Sequence, residues 1–358
     1  MPSDVKASSP ADPTQVGPGE LDQTLVEPPS AKLLVRLFLI PLIIVALAVG
    51  VMFLIGRMAG GMPTMEEAIA RLKRPGGGRT ADWLVGPGAK QRYIDAKTLT
   101  DQMKAGMGEA ERVALAGELI DILDNYTKSD EGQVQHFLLL ALGRTWQRNP
   151  TQAAMNSPEA QESRQKVVVA QLRYADADDV STRKAAVLST VYWAGQDEAM
   201  QVVPMLIGKL SDPREDVDVR LAAATALGPL GKASDRDVIE ALGNAIRDTD
   251  PRNSELVWAS ALSLAQLNQP DVAETVLKLL SRDELAKIEY YDRESDPKNP
   301  TFRKLSDQEQ QRILINTMIG AKHLNVPAVQ EKLRDLSKND PSPRVRAAGL
   351  EILQTGAR

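Results

Sequence analysis

The chain has 358 residues, no cysteine, only 4% aromatic residues and a net charge of −5. The lack of cysteine excludes structural disulfides, thiolate metal sites and a Cys nucleophile. The acidic balance argues against a dedicated nucleic-acid binder, whose affinity rests on clustered positive charge.

Residues 1–31 are rich in Pro, Ser, Gly and acid. They hold too few apolar side chains to offset chain entropy and read as a disordered tail. From Leu37 to Gly56 the sequence LFLIPLIIVALAVGVMFLIG carries no charge. At about 1.5 Å per residue such a run spans about 30 Å, the thickness of a bilayer's hydrocarbon core. Residues 32–57 are therefore expected to form one transmembrane helix, with residues 37–56 in the membrane. A long acidic start and a long apolar stretch do not fit a cleaved signal peptide, so the expectation is an uncleaved single-pass anchor. The flanking charges leave its orientation open: Lys32 and Arg36 lie upstream, and Arg57, Arg71, Lys73 and Arg74 downstream. Asn125-Tyr126-Thr127 matches the glycosylation pattern, but so short a motif does not settle the compartment.

Residues 58–107 form a mildly basic juxtamembrane region. Its excess of Lys and Arg suits anionic headgroups, but reads first as an ordinary solvated linker. A weak helical pair at Met65–Leu72 and Arg92–Met103 reads as a degenerate first repeat. Gly76-Gly77-Gly78 lacks the G-K-[ST] ending and a preceding strand, so it reads as a joint rather than a phosphate loop.

Residues 108–358 are periodic. The clearest copy is Leu210–Gly231, LSDPREDVDVRLAAATALGPLG. Asp212 is a suitable N-cap and Pro213 a suitable first helical residue. Val219, Ala223, Ala226 and Leu227 then form one apolar stripe. Gly228 and Pro229 are expected to end the helix. Asp130, Asp178, Asp250, Asp307 and Asp340 open similar stretches. An amphipathic partner precedes each copy: Val113–Leu123, Val167–Leu172, Val202–Leu210, Val238–Ile246, Val272–Leu280 and Val329–Leu336. The aligned Gln135, Arg183, Arg220, Glu255, Arg312 and Arg346 stand 48, 37, 35, 57 and 34 residues apart. The short spacings equal a two-helix repeat, and the long ones place insertions near 146–159 and 282–304. Each pair has an apolar face it cannot bury alone, so the pairs must stack. The fold class is all-α: a solenoid of six or seven helical pairs, roughly 50–70 Å long at about 8–10 Å per layer.

The pattern L-x-D-P-x-x-x-V-R-x-x-A-x-x-A-L-G-x-L-G at Leu210–Gly231, and its weaker copies at 336–353 and 237–267, resembles the HEAT repeat. The likeness is strongest to the short bacterial kind also called PBS-lyase-like. Glu255 departs from it, standing where Arg is usual. The resemblance implies an interaction scaffold rather than one set chemistry.

Several residues are candidates for more than packing. Arg183, Arg220, Arg312 and Arg346 recur in register, as a ligand ladder or, as the resemblance implies, as ties to an Asp or loop carbonyl of a neighbouring repeat. His136 and His323 are the only histidines and lack metal-site spacing. Trp193 and Trp258 fall on helix stripes as core residues. The insertion KIEYYDRESDPKNPTFRKLSD breaks the period and carries Tyr290, Tyr291 and Phe302 among mixed charges. These rings either contact a partner or pin the loop to the preceding helix.

No catalytic cluster is visible, so the expectation is a non-enzymatic, membrane-anchored scaffold that binds other proteins. No metal, cofactor or small-molecule substrate is implied by the residues. Some proteins with this short repeat help attach bilin pigments to cysteines, which implies an alternative role as a bilin lyase-like or cofactor-attachment chaperone. That role needs a pigment pocket, for which the sequence offers no distinctive residues. Nucleic-acid binding of the HEAT-like glycosylase kind is opposed by the acidic balance and the membrane tether.

Overall fold

The structure, a computed structural model, describes residues 64–73, 89–103, 107–126, 132–148, 156–292, 295 and 299–356. The chain divides into two units, Met1–Gly61 and Met62–Arg358, and every described residue belongs to the second. The tail, the apolar run, Gly76–Gly78, Trp83, Thr127 and Asp130 lie outside the described residues. So does much of the first insertion, at 149–155.

The described residues form fifteen α-helices in chain order. They are α1 (Met65–Leu72), α2 (Ala89–Gln102), α3 (Glu109–Tyr126), α4 (Gly132–Thr145) and α5 (Pro158–Tyr174). Next come α6 (Val180–Ser189), α7 (Ala199–Ser211), α8 (Val217–Leu230), α9 (Arg236–Ile246) and α10 (Ser254–Gln266). The last are α11 (Ala273–Leu279), α12 (Arg282–Leu285), α13 (Asp307–Ala321), α14 (Pro327–Asn339) and α15 (Pro343–Gly356). Seven contacting helical pairs result among the described residues: α1/α2, α3/α4, α5/α6, α7/α8, α9/α10, α11/α13 and α14/α15. The second helices α2, α4, α6, α8, α10, α13 and α15 pack each on the next, and the first helices form the other layer.

Small residues hold the second layer together. Ala222, Ala223, Ala224 and Ala226 of α8 are buried, as are Ala185 and Ala186 of α6 and Ala261 and Ala265 of α10. Larger side chains, such as Val202, Leu206 and Leu210 of α7, fill the space between the two layers. Between them runs a closed polar network. Trp193 donates from Nε1 to Gln171 Oε1 at 2.6 Å, and Gln171 donates to Ser189 Oγ at 2.8 Å. Ser189 in turn donates to the Ala186 carbonyl at 2.7 Å. All three side chains are buried and paired, which removes the cost of burying them.

Three expectations about the repeat need correction. Asp212 does not cap the second helix, and Pro213 is not its first residue. Asp212 closes α7, its N–H donating to the Gly208 carbonyl, while Asp216 caps α8 by accepting from the Asp218 N–H. The physical reason recurs in three repeats. The Asp212 carboxylate accepts from Arg214 N, that of Asp250 from Arg252 N and that of Asp340 from Ser342 N, each at 2.8–2.9 Å. Asp-Pro thus builds an Asx turn between the paired helices, and the second helix starts a few residues later. Likewise Asp179, not Asp178, caps α6, and Ser306, with Glu309, forms a capping box for α13.

Gly228 and Pro229 also do not end α8, which runs on to Leu230 with Gly231 as its cap. Pro229 sits in the last turn, where it forfeits one backbone hydrogen bond. Gly228 is needed for packing. A Cβ there would lie 2.9 Å from Ser263 Oγ and 3.1 Å from Ser263 Cα on α10. That close approach lets Ser263 donate to the Ala224 carbonyl at 2.7 Å across the helix interface.

The third correction concerns the second insertion. It holds a small antiparallel hairpin, β1 (Glu289–Tyr291) paired with β2 (Phe302–Lys304), with Tyr290 opposite Arg303. The β-branched content of the stretch is too low to announce strands; tertiary contacts hold them. The stretch begins at α12, where Arg282 donates through Nε and Nη2 to both oxygens of Asp340, each at 2.8 Å.

Candidate functional site

The arginines that recur in register do not behave alike. Arg183 donates to the Ala177 and Asp178 carbonyls at 2.8 Å, and to Glu215 of the next repeat. Arg220 donates to the Leu210 carbonyl at 3.1 Å and lies 3.9 Å from Asp248. Arg346 donates to the carbonyls of Asp340 and Pro341. Each of these three ties the turn that precedes its own helix, and the Arg183 and Arg220 side chains are only 17% and 16% exposed. Glu215 anchors a further crossing, accepting from Lys209 at 2.9 Å. Burial alone would raise its carboxyl pKa, but the hydrogen bonds from Lys209, Asp216 N–H and Arg183 hold it below the usual range.

Arg312 stands apart. The hairpin has replaced the turn its guanidinium would otherwise tie. Its side chain is 61% exposed and reaches Glu255 at 4.0 Å, longer than a hydrogen bond. Arg312 keeps the repeat register all the same, since Gly320 follows it by eight residues as Gly228 follows Arg220. A Cβ at Gly320 would press on Leu262 Cβ at 3.1 Å, the same close-approach role.

Arg312 lines an open cleft of about 530 Å³ on the second layer. Leu221 and Thr225 come from α8, Trp258, Leu262 and Gln266 from α10, and Ile313, Asn316 and Ile319 from α13. Ile319 is 46% exposed. Trp258 is half-buried here rather than in the core, whereas Trp193 is fully buried.

The hairpin meets this cleft through Trp258, one of the cleft's lining residues. Tyr290 is buried, stacks on Trp258 with centroids 6.2 Å apart, and donates its hydroxyl to Glu255 at 2.5 Å. Tyr290 therefore pins the insertion onto α10. Tyr291 and Phe302 lie across the strand pair from each other, with ring centroids 6.0 Å apart. Phe302 remains exposed. Arg303 lies over the Tyr290 ring at 5.4 Å and donates to both oxygens of Glu309 at 2.8 and 2.7 Å. Those bonds hold the Glu309 carboxyl down to about 2.

The histidines do not join the cleft. Burial lowers the pKa of His136 on α4, and burial also lowers that of His323, after α13. Among the described residues, no group of three or more His, Asp or Glu is placed to hold a metal ion. Sequence reasoning found Tyr290, Glu255 and Arg312 separately, but nothing in their spacing signalled that they meet. It missed Trp258 as a site residue. It also missed Arg112, whose buried guanidinium donates to the Met107, Thr145 and Gln147 carbonyls.

The family model described as HEAT repeats matches residues 203–289, which run from α7 into the start of the hairpin. A solved structure of human deoxyhypusine hydroxylase in complex with glycerol aligns over 85% of this chain and 99% of that chain. Its identity is 15% and its TM-score 0.29, a likeness that carries no argument about activity. Comparison with curated proteins found no match. Residues 203–289 thus match HEAT repeats, and the described residues around them continue the same all-α stack of paired helices.

Proposed function

We propose that this chain is a membrane-anchored, non-catalytic scaffold that holds a partner protein against the second layer of its HEAT solenoid. The observation that carries this reading is the cleft between α8, α10 and α13. It combines exposed apolar side chains, Ile319 and half-buried Trp258, with an exposed guanidinium, Arg312. Aromatic and Arg side chains at the centre of an apolar patch are the usual anchors of protein interfaces. The anchor is assigned to Leu37–Gly56 on its length and lack of charge. Among the described residues no helix is long and apolar enough to cross a membrane.

The test is face-specific. A photo-crosslinking amino acid replaces Ile319 in the cleft or Met200 on α7, in the full chain in its own membranes. Illumination is expected to trap a defined protein from position 319 and not from position 200. No adduct, or equal adducts from both positions, would overturn the proposal.

A further inference from the structure

We infer that the cleft reads a carboxylate flanked by apolar side chains, on a segment of the partner protein, and that Arg312 is the residue that binds it. This deepens the scaffold reading and rests on it. Arg183, Arg220 and Arg346 spend their guanidinium donors on backbone carbonyls and acids of the solenoid. Arg312 occupies the same register, yet among the described residues it makes no hydrogen bond and is mostly exposed. Glu255, which also lines the cleft, stands 4.0 Å from the guanidinium, beyond hydrogen-bond reach, and its Oε1 accepts the Tyr290 hydroxyl at 2.5 Å. The result is a planar fork of five donors at the edge of an apolar cleft, which matches a carboxylate bidentately.

The apolar neighbourhood sets what must stand beside that carboxylate. Trp258, Leu262, Ile313 and Ile319 line the cleft. The surface also continues onto the next helix. Leu350 of α15 is 50% exposed and follows Arg346 by four residues, as Asn316 follows Arg312. Since α13 and α15 pack side by side, Leu350 adds an exposed apolar side chain on the helix next to the cleft. A lone acidic side chain would leave Ile319 and Leu350 in water. A segment with apolar residues on one face and an Asp or Glu among them covers it, as amphipathic segments do in apolar grooves.

The experiment pans a phage-displayed random twelve-residue peptide library against the detergent-solubilised full chain, and against its Arg312→Gln variant. Arg312 is exposed and ties no turn, so the variant should melt with the parent. Arg183→Gln, which does lose such ties, serves as the stability control. The parent is expected to enrich peptides carrying Asp or Glu among apolar residues, and binding to Arg312→Gln should fall at least about tenfold. Synthetic copies with free or amidated C-termini then distinguish a side-chain carboxylate from a terminal one. Enriched peptides without an acid, equal binding to the variant, or no enrichment would each overturn the inference. A partner trapped at position 319 equally well in Arg312→Gln would sink this inference alone. Absence of any trapped partner would sink the scaffold reading.

Discussion

Asp340 shows how a single side chain changes meaning between sequence and structure. Its place before Pro341 reads as the opening of a helix; its carboxylate, nearly fully buried, is the far-reaching tie between the last repeat and the start of the insertion. Burial alone would raise its pKa, but hydrogen bonds from Arg282 and from the Ser342 N–H outweigh that and hold it below the usual range. A lowered folded-state value stabilises the fold above the ordinary carboxylate pKa, and that contribution fades as pH falls through the lowered value. Arg282→Ala should therefore leave a buried charge without its partner and cost about 3 kcal/mol at pH 7. The loss should shrink below about pH 4, as the stranded carboxyl takes up a proton. Urea melts of parent and variant at the two pH values check this, and a loss independent of pH would contradict it.

At the scale of elements, the helices were legible because their apolar residues repeat at helical spacing. The segment Val238–Ile246 lies inside α9, and Met65–Leu72 coincides with α1. What ends or joins the helices was less legible. Gly228 reads locally as a stop, since glycine favours helix ends, and only the facing Ser263 reveals it as a contact point. The two readings predict opposite signs. At an exposed helical site Gly→Ala would gain up to about 1 kcal/mol. Here Gly228→Ala should destabilise by about 1–3 kcal/mol, because α10 must give way. Chemical denaturation followed by circular dichroism decides between them. The hairpin was illegible for a different reason: three-residue strands have no period to detect, and these persist through Tyr290 on Trp258 and Arg303 on Glu309.

For the whole molecule, repeat stacking and membrane attachment are separate physical problems. Each solenoid pair is stabilised by its neighbours, whereas the proposed anchor would depend on one apolar run meeting lipid. Deleting residues 37–56 should release the chain from membranes in an alkaline wash and leave the melting of the solenoid unchanged. Release of the full chain under the same wash would remove the anchor from the account.

The sequence by itself determined the all-α repeat, the register of its arginines and the places where the period breaks, because these follow from local spacing and from the need of each pair to bury an apolar face. Only the tertiary structure decided which arginine makes no hydrogen bond to the described residues of the solenoid, that Asp-Pro makes a turn rather than a cap, and that Trp258, Glu255 and Arg312 line one cleft with Tyr290 packed on Trp258. The cleft depends on side chains distant in the chain meeting in space, as Glu255 and Tyr290 do across 35 residues, and no local pattern records such a distance.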